Sequence, residues 1–179
     1  NFKETSQNNF ILTKTGNPSL VAFNPYMPHG WSVYFDGSDS LSIPSSANLA
    51  LGTGDFTIEL WVKPLNSNNR LISWAGTGGP LVYTNSSNQL TFANYGVADL
   101  LTTSGTVPLN LWSHCAVTRQ GTTLRLFING TLAASTTNST NFGQVAVNLG
   151  VDSSTVYLKG YLSNVRVIKG TALYTSTFT

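Results

Sequence analysis

Two aspartates lie three residues apart in the loop of the segment "YFDGSDSLSIP" (residues 34–44), where carboxylates can bind a metal ion, act in catalysis or stabilise a turn. Calcium takes roughly six to eight oxygen ligands, of which Asp36, Asp39 and the neighbouring serines would supply a few. The pair Asp36-Gly37 also suits a turn, because aspartate bonds to nearby backbone groups and glycine adopts conformations that a side chain forbids. Since short apolar segments flank this loop, we interpret it mainly as the turn of a β-hairpin.

Carboxylate catalysis would depend on very few residues. The only glutamates are Glu4 and Glu59. Glycoside hydrolases hold two carboxylates roughly 5–10 Å apart across the sugar bond. The alternate positions beside Glu59 carry Thr57 and Trp61 instead of a second acid. The pattern favours a polar residue on the outer face of a strand over a catalytic acid.

The histidines give little further support for catalysis. There are two, His29 in a proline-containing loop and His114 in a segment where it alternates with Trp112 and Ala116. That alternation is typical of a histidine held by hydrogen bonds in a packed strand. No Gly-x-Ser-x-Gly nucleophile motif accompanies them. We therefore expect that the protein is not an enzyme.

Residues suited to sugar binding occur near predicted loops. A sugar is held by an aromatic face and by amides or carboxylates that bond to its hydroxyls, and binding residues concentrate in loops. The candidates are Trp74, Tyr83, Asn94, Tyr95 and Asp99. The alternative interpretation is that the aromatic residues pack inward and that residues 94–96 form only a turn.

Composition and charge exclude several classes of function. Only 9% of the residues are charged and the net charge is +2, with no cluster of Lys and Arg. Nucleic-acid binding needs such a cluster, so nucleic acid is not an expected partner. No apolar run approaches the ~20 residues of a membrane-spanning helix, so membrane insertion is not expected either. The single cysteine, Cys115, permits no internal disulfide and is expected to be a buried thiol.

The dominant hydrophobic period is two, which is the period of β-strands. In "DFTIELWVKP" (residues 55–64) apolar and polar residues alternate until Pro64. In "TTLRLFINGTLAAS" (residues 122–135) Asn129-Gly130 provides the two residues that a type I′ hairpin turn needs. The segment "LWSHCAVT" (residues 111–118) is apolar on both faces and predicts a central strand. About a dozen such strands separated by Gly, Pro, Asn and Ser clusters predict an all-β, antiparallel two-sheet sandwich of jelly-roll type.

Four motifs in this order resemble the laminin-G-like branch of the concanavalin A-like jelly-roll sandwiches. They are "YFDGSDSLSIP", "LGTGDFTIELWVKP", "LNLWSHCAVTRQGTTLRLFINGTL" and "KGYLSNVRVIKGTALY", and the resemblance extends from Trp31 to Tyr174. It implies that the segment with Asp36 is the opening hairpin of that fold. It also implies a calcium site at the rim of the sandwich, for which Asp99 and Asp152 are the candidates, although the ligand motif of the family does not match residue by residue. No cofactor is otherwise expected.

The two ends of the chain carry a narrower resemblance. The segment of residues 8–37 and the tail "NVRVIKGTALYTSTFT" (residues 164–179) are similar to laminin-G-like domains in virion proteins of tailed phages, especially phages of marine cyanobacteria. In those phages such domains belong to tail fibres, appendages or capsid-decorating proteins. We accordingly predict a lead-in hairpin and linker at residues 1–30 and a laminin-G-like sandwich at residues 31–179.

The resemblance and the residues together lead to three functional hypotheses. The first is a non-enzymatic module at the virion surface that attaches to a host-surface glycan. The second is a structural or decorating domain that has no ligand and packs against other virion subunits. The third is an extracellular lectin-like adhesion domain. Because phage fibres are commonly trimeric, the first two hypotheses include a homotrimer.

Overall fold

The computed structural model describes residues 5–26, 30–153 and 156–179, which form two seven-stranded antiparallel sheets. The predicted fold class, an antiparallel two-sheet jelly-roll sandwich, is confirmed. Glu4 and His29 lie outside the described residues. Within the described ranges, no helix has the length and apolar composition that a membrane span requires.

Sheet A has the strand order β1-β4-β13-β6-β7-β8-β9, and sheet B has the order β12-β11-β10-β5-β14-β3-β2. In chain order the strands are β1 (Thr13–Thr15), β2 (Ser19–Val21), β3 (Ser32–Asp36), β4 (Ser40–Ile43), β5 (Phe56–Pro64), β6 (Arg70–Trp74), β7 (Pro80–Thr84), β8 (Gln89–Asn94), β9 (Ala98–Thr106), β10 (Ser113–Gln120), β11 (Thr123–Ile128), β12 (Thr131–Thr137), β13 (Val147–Leu149) and β14 (Lys159–Lys169). A 3-10 turn, Ala47–Leu49, follows β4.

The core lies between the sheets and follows the alternation seen in the sequence. In β5 the alternate apolar residues from Phe56 to Val62 are buried in it. Successive side chains of a strand point to opposite faces, so Glu59 and Trp61 lie on the outward face of sheet B. The predicted central strand is confirmed, because β10 pairs with both β5 and β11. Its Cys115 belongs to the core, as predicted, and burial raises the pKa of the thiol to about 12.

The predicted lead-in hairpin at residues 1–30 is wrong, because β1 and β2 pair with different sheets. β1 adds an edge strand to sheet A beside β4, and β2 adds one to sheet B beside β3. A sequence of short polar segments gives the period of each strand but does not identify its partner. The lead-in is therefore part of the sandwich, and residues after β2 cross the outward face of sheet B, where Tyr26 packs on Trp61.

The loop with Asp36 and Asp39 is also not the turn of a hairpin. It connects β3 of sheet B with β4 of sheet A, and these two strands do not pair with each other. Asp36 stabilises the loop by accepting hydrogen bonds from the Ser38 N–H and hydroxyl, both at 2.8 Å. Asp39 is buried and accepts hydrogen bonds from the N–H of Asn17 at 2.6 Å and of Asp36 at 3.1 Å. Both aspartates thus have structural roles, and Asp39 ties the lead-in to the sandwich.

The C-terminal tail, residues 171–179, packs across the outward face of sheet B. The Thr118 hydroxyl donates to the carbonyl of Tyr174 at 2.7 Å, and the Phe178 N–H donates to the carbonyl of Gly130 at 2.9 Å. Tyr174 and Phe178 stack with ring centroids 3.6 Å apart. Together they cover Phe127, which is fully buried on this outward face. Gly130 belongs to the predicted β11–β12 turn, where Asn129 and Gly130 both have positive φ as a type I′ turn requires.

A buried arginine holds the loop that precedes β5. Arg119 points into the sandwich and is fully buried. Its guanidinium donates to the carbonyls of Gly52 at 2.7 Å, Gly54 at 2.7 Å and Thr140 at 2.7 Å. Burial lowers the pKa of Arg119, and the bonds to carbonyl oxygens compensate for the desolvation of its charge.

Candidate functional site

Trp74, one of the predicted sugar-binding residues, lies in the core. Its side chain is 1% exposed, and its indole N–H donates to the carbonyl of Leu49 at 2.7 Å. A ligand at the surface cannot reach it. The prediction for Trp74 is therefore wrong, because the last residue of β6 points between the sheets instead of into the following loop.

Tyr83 and Asp99 come together on sheet A. The Tyr83 hydroxyl lies 2.9 Å from each carboxylate oxygen of Asp99, and the guanidinium of Arg70 lies 4.7 Å from the Tyr83 ring centroid. Burial and the bond to Asp99 raise the pKa of Tyr83 to about 12, so this phenol stays protonated. Asp99 is exposed, but Arg70 covers one face of the Tyr83 ring.

Asn94 and Tyr95 belong to the β8–β9 turn. The Val97 N–H donates to the carbonyl of Asn94 at 2.9 Å and closes the turn. The Tyr95 backbone is bonded to the loop between β6 and β7, through Gly78 and Gly79, each at 2.8 Å. Both side chains are half-buried, so Tyr95 sits near the surface at this end of sheet A but does not form an open platform.

Asp152, the second candidate for calcium, forms an ion pair within the protein. Its carboxylate accepts a hydrogen bond from Arg70 Nε at 2.6 Å, and its side chain is 1% exposed. Asp99 accepts from Tyr83 instead. Across the described residues, no group of three or more His, Cys, Asp or Glu side chains is arranged to hold a metal ion. Calcium at Asp99 and Asp152 stays a prediction.

A charged cluster occupies the outward face of sheet B. Glu59 of β5 and His114 of β10 lie on adjacent strands, with Oε2 of Glu59 3.1 Å from Nε2 of His114. The Tyr174 hydroxyl donates to the same oxygen at 2.7 Å, and Arg166 of β14 donates to Oε1. A β-bulge before Arg166 changes the register of β14 and places this residue opposite Glu59.

The cluster keeps Glu59 ionised. Burial by itself would raise the pKa of this carboxyl, but the hydrogen bonds from His114, Tyr174 and Arg166 outweigh burial and lower the pKa to about 2. A general acid needs the opposite shift, towards the working pH. Glu59 is therefore arranged as a fixed negative charge that orients its neighbours. A strongly shifted pKa inside a cleft is also a feature of functional sites.

A cavity of about 880 Å³ lies over this cluster; we call it the sheet B pocket. Trp61 of β5 and Tyr26 of the lead-in form an aromatic side of the pocket, with ring centroids 5.6 Å apart. Phe178 contributes from the tail. The side chain of Arg166 is 55% exposed, so its guanidinium is accessible although it bonds to Glu59. The pocket thus offers aromatic faces beside fixed polar groups, which is the combination that recognises sugars.

Sequence reasoning considered Glu59 and His114 as structural residues and missed Arg166, Tyr174, Trp61 and Tyr26 as their neighbours. Arg166 and Tyr174 are 107 and 115 residues from Glu59 along the chain. The outward positions of β5 did carry a signal, since Glu59 and Trp61 alternate on one face. An acid and a tryptophan on a face that is predicted to be solvated would have justified placing the site there.

One family model matches residues 35–173, and it describes the laminin G type of the "Concanavalin A-like lectin/glucanases superfamily". The chain belongs to this family. The fold has the architecture of lectin-like and carbohydrate-binding modules, and the predicted resemblance to laminin-G-like domains is confirmed at that level. No curated protein matches the chain significantly.

Solved structures with the same fold share little sequence with this family member. Domain 4 of an extracellular arabinanase from Geobacillus stearothermophilus, solved with arabinotriose, has a TM-score of 0.74 at 20% identity, covering 93% of this chain and 86% of that one. The binding domain of Paraclostridial Mosquitocidal Protein 1 has a TM-score of 0.74 at 16% identity, covering 96% of this chain and 47% of that chain. A carbohydrate-binding module from Bacillus subtilis has a TM-score of 0.54 at 17% identity, covering 87% and 94%. At these identities the likeness shows the fold.

Proposed function

We propose that this chain is a non-enzymatic sugar-binding module of a tailed-phage virion and that its sheet B pocket holds a glycan of the host surface. The observation that carries the proposal is the charged cluster around Glu59, which lies beside Trp61 at the base of the open sheet B pocket. The aromatic face of Trp61 suits the C–H side of a sugar ring, while Arg166 and His114 lie within the same pocket to bond to hydroxyl groups.

The electrostatics of the pocket argue for binding without hydrolysis. Glycoside hydrolysis uses two carboxylates, one of them with a raised pKa. Glu59 has a lowered pKa, and its three donors restrain it. The fold similarity to binding modules supports the same conclusion, although sialidase structures from Trypanosoma rangeli share the fold over part of their length.

The virion setting rests on the resemblance of the lead-in and tail to phage laminin-G-like domains. A surface with few charges and many hydroxyl and amide groups suits a virion protein or another extracellular protein, and an extracellular adhesion domain would use the same pocket.

Binding to marine cyanobacterial cells and to their purified surface polysaccharide tests this proposal. We expect saturable binding by the wild type and a loss of about tenfold or more in Trp61→Ala and Arg166→Gln. Lys14→Ala on β1 is the matched control, because Lys14 is an exposed cation on the edge of sheet A. Wild-type protein that is folded and multivalent but binds neither probe would overturn the glycan function.

The same binding assay distinguishes a sugar site on sheet B from one on sheet A. Tyr83, Asn94, Tyr95 and Asp99 on sheet A are the alternative sugar contacts. If Tyr95→Ala abolishes binding while Trp61→Ala preserves it, the site lies on sheet A. Loss of binding in a chelator, restored by calcium, would support a calcium ion at Asp99 and Asp152.

A structural role is the second candidate, and exposed apolar residues favour it. Ile11, which precedes β1, and Trp31, which precedes β3, are 79% and 63% exposed. Such residues suit packing against other virion subunits or within a homotrimer. Light scattering of the wild type and of Trp31→Ser tests this candidate, which predicts an oligomer that the substitution dissociates.

A further inference from the structure

A second group of aromatic residues lies on the outward face of sheet B. Phe23, Tyr34, Trp112 and Tyr161 form it, and we call it the aromatic patch. The ring centroid of Phe23 is 5.3 Å from that of Tyr161 and 5.8 Å from that of Trp112. Tyr34 lies 5.0 Å from Tyr161. The four rings come from four segments of the chain and form one continuous group.

The aromatic patch adjoins the sheet B pocket along β5. Trp61 of the pocket and Lys63 are alternate residues of this strand, so they share a face and are about 7 Å apart. Lys63 lies opposite Tyr161 of the patch, and Trp61 lies opposite His114 of the pocket. The lead-in repeats this arrangement, since Phe23 belongs to the patch and Tyr26 to the pocket. Trp61 and Lys63, alternate residues of β5, thus connect the sheet B pocket with the aromatic patch.

The side chain of Lys63 contacts the aromatic patch. Lys63 Nζ lies 4.5 Å from the ring centroid of Phe23, a cation–π contact. The contact between Lys63 and the Phe23 ring is electrostatic and occupies none of the three N–H donors of the ammonium group. These donors can therefore bond to a ligand hydroxyl. Phe23 is 38% exposed and Tyr26 is 48% exposed, which leaves ring surface open on both sides of the Trp61–Lys63 step.

We propose that the sheet B pocket and the aromatic patch are consecutive subsites for one extended polysaccharide chain of at least three sugar units, which runs along β5 from Trp61 to Lys63 and then across β14 towards β3. This inference rests on the proposed function and deepens it, because it specifies an internal stretch of a polymer as the ligand instead of a single terminal sugar. Trp61 and Tyr26 bind one unit, and Phe23 with Lys63 binds the next. Tyr161 and Tyr34 continue the row towards the edge of the sheet.

The test is a chain-length series measured by calorimetry. The probes are size-fractionated fragments of marine cyanobacterial surface polysaccharide and, as a defined set, arabino-oligosaccharides of one to six units. The variants are Lys63→Ala, which removes the cation, and Phe23→Leu, which keeps apolar volume but removes the ring. Lys14→Ala is again the matched control, and thermal unfolding of each variant verifies that the fold is retained.

We expect wild-type affinity to rise by at least about tenfold from one unit to four and then to level off. Lys63→Ala and Phe23→Leu should weaken binding of the longer probes by about five- to tenfold and leave binding of the shortest bound probe unchanged. If the wild type binds short and long probes equally, or if Lys63→Ala weakens every length alike, the extended-chain inference is overturned while the proposed function stands. If Trp61→Ala retains wild-type binding, the pocket itself is wrong and the inference is overturned with it.

Discussion

Oε2 of Glu59 lies 3.1 Å from Nε2 of His114, although 55 residues separate the two in the chain. The contact forms because β5 and β10 pair in antiparallel register and place both side chains on the outward face of sheet B. Arg166 and Tyr174 complete the environment of the carboxylate. Residues of β10, β14 and the tail, all remote from Glu59 in sequence, thus surround its carboxylate. We therefore expect the stability of the fold to depend on the charge of Glu59.

The stability contributed by Glu59 should depend on pH. Its pKa is lowered from 4.5 to about 2 in the folded protein. The contribution is therefore fully present above about pH 4.5 and is lost as the pH falls towards 2. Glu59→Gln should reduce the free energy of unfolding by about 2 kcal/mol at pH 7, and the difference from wild type should narrow below pH 4.5. Urea unfolding at a series of pH values measures this. Asp99→Asn, at an exposed carboxylate, is the control, and a difference that stays constant with pH would contradict the assignment.

Replacing Arg119 should destabilise the sandwich. Arg119→Lys cannot reach the three carbonyls that the guanidinium bonds, so buried acceptors lose their donors. We expect a reduction of about 3 kcal/mol in the free energy of unfolding, measured by chemical denaturation. Arg125→Lys on the adjacent strand β11 is the control, because Nη1 of Arg125 has no hydrogen-bond partner in the part of the chain that the structure describes. Equal effects of the two substitutions would show that the carbonyl contacts are unimportant.

Gly130 should not tolerate a side chain. A Cβ at this position would overlap the carbonyl oxygen of Phe178, whereas a Cβ at Gly121, also with positive φ, would meet no atom within 4 Å. Both Gly130→Ala and Gly121→Ala carry the backbone penalty of about 1–2 kcal/mol for a left-handed residue. Gly130→Ala should cost at least about 1 kcal/mol more and release the tail. Thermal unfolding and limited proteolysis of the tail test this, and similar unfolding temperatures for both variants would contradict the tail packing.

Two tryptophans should separate stability from binding. Trp74→Phe loses the hydrogen bond to Leu49 and leaves a void in the core, so its free energy of unfolding should fall by about 2 kcal/mol while sugar binding persists. Trp61→Phe should show the reverse, with weaker binding to the polysaccharide and little change in stability. The two measurements are thermal unfolding and calorimetry. Loss of binding in folded Trp74→Phe protein would place the ligand elsewhere.

The sequence is a reliable guide where local chemistry decides the structure. Alternation in β5 and the pair Asn129-Gly130 predict strands and a turn correctly, because strand faces and turn geometry depend on adjacent residues. The choice of strand partners depends on distant residues and is predicted less well. The loop with Asp36 is flanked by two strand-like segments, which favours a hairpin locally, but β14 and β13 provide better partners for β3 and β4.

The candidate site shows the same limit. Asp99 and Tyr83, two of the sugar-binding candidates, contact each other because β7 and β9 flank β8 and are near it in sequence, and their role in binding stays a prediction. The prediction for Trp74 is wrong because a difference of one position at the end of a strand decides whether a side chain points into the core, and the sequence does not fix that position. The Glu59 cluster needs a bulge in β14 and a tail that folds back, and neither has a local signal.

Tyr26, Tyr174 and Phe178 lie outside residues 35–173, the range that matches the family, whereas Glu59, Trp61, His114 and Arg166 lie inside it. The shared sandwich supplies the charged floor of the pocket, and the two chain ends supply much of its wall. Under the proposed function, the segments outside the family match would therefore determine much of the sugar preference, without a substitution in the core. A chimera would keep its stability only if the foreign ends still paired with β3 and β4 and still covered Phe127, and we expect the proposed sugar preference of such a chimera to change.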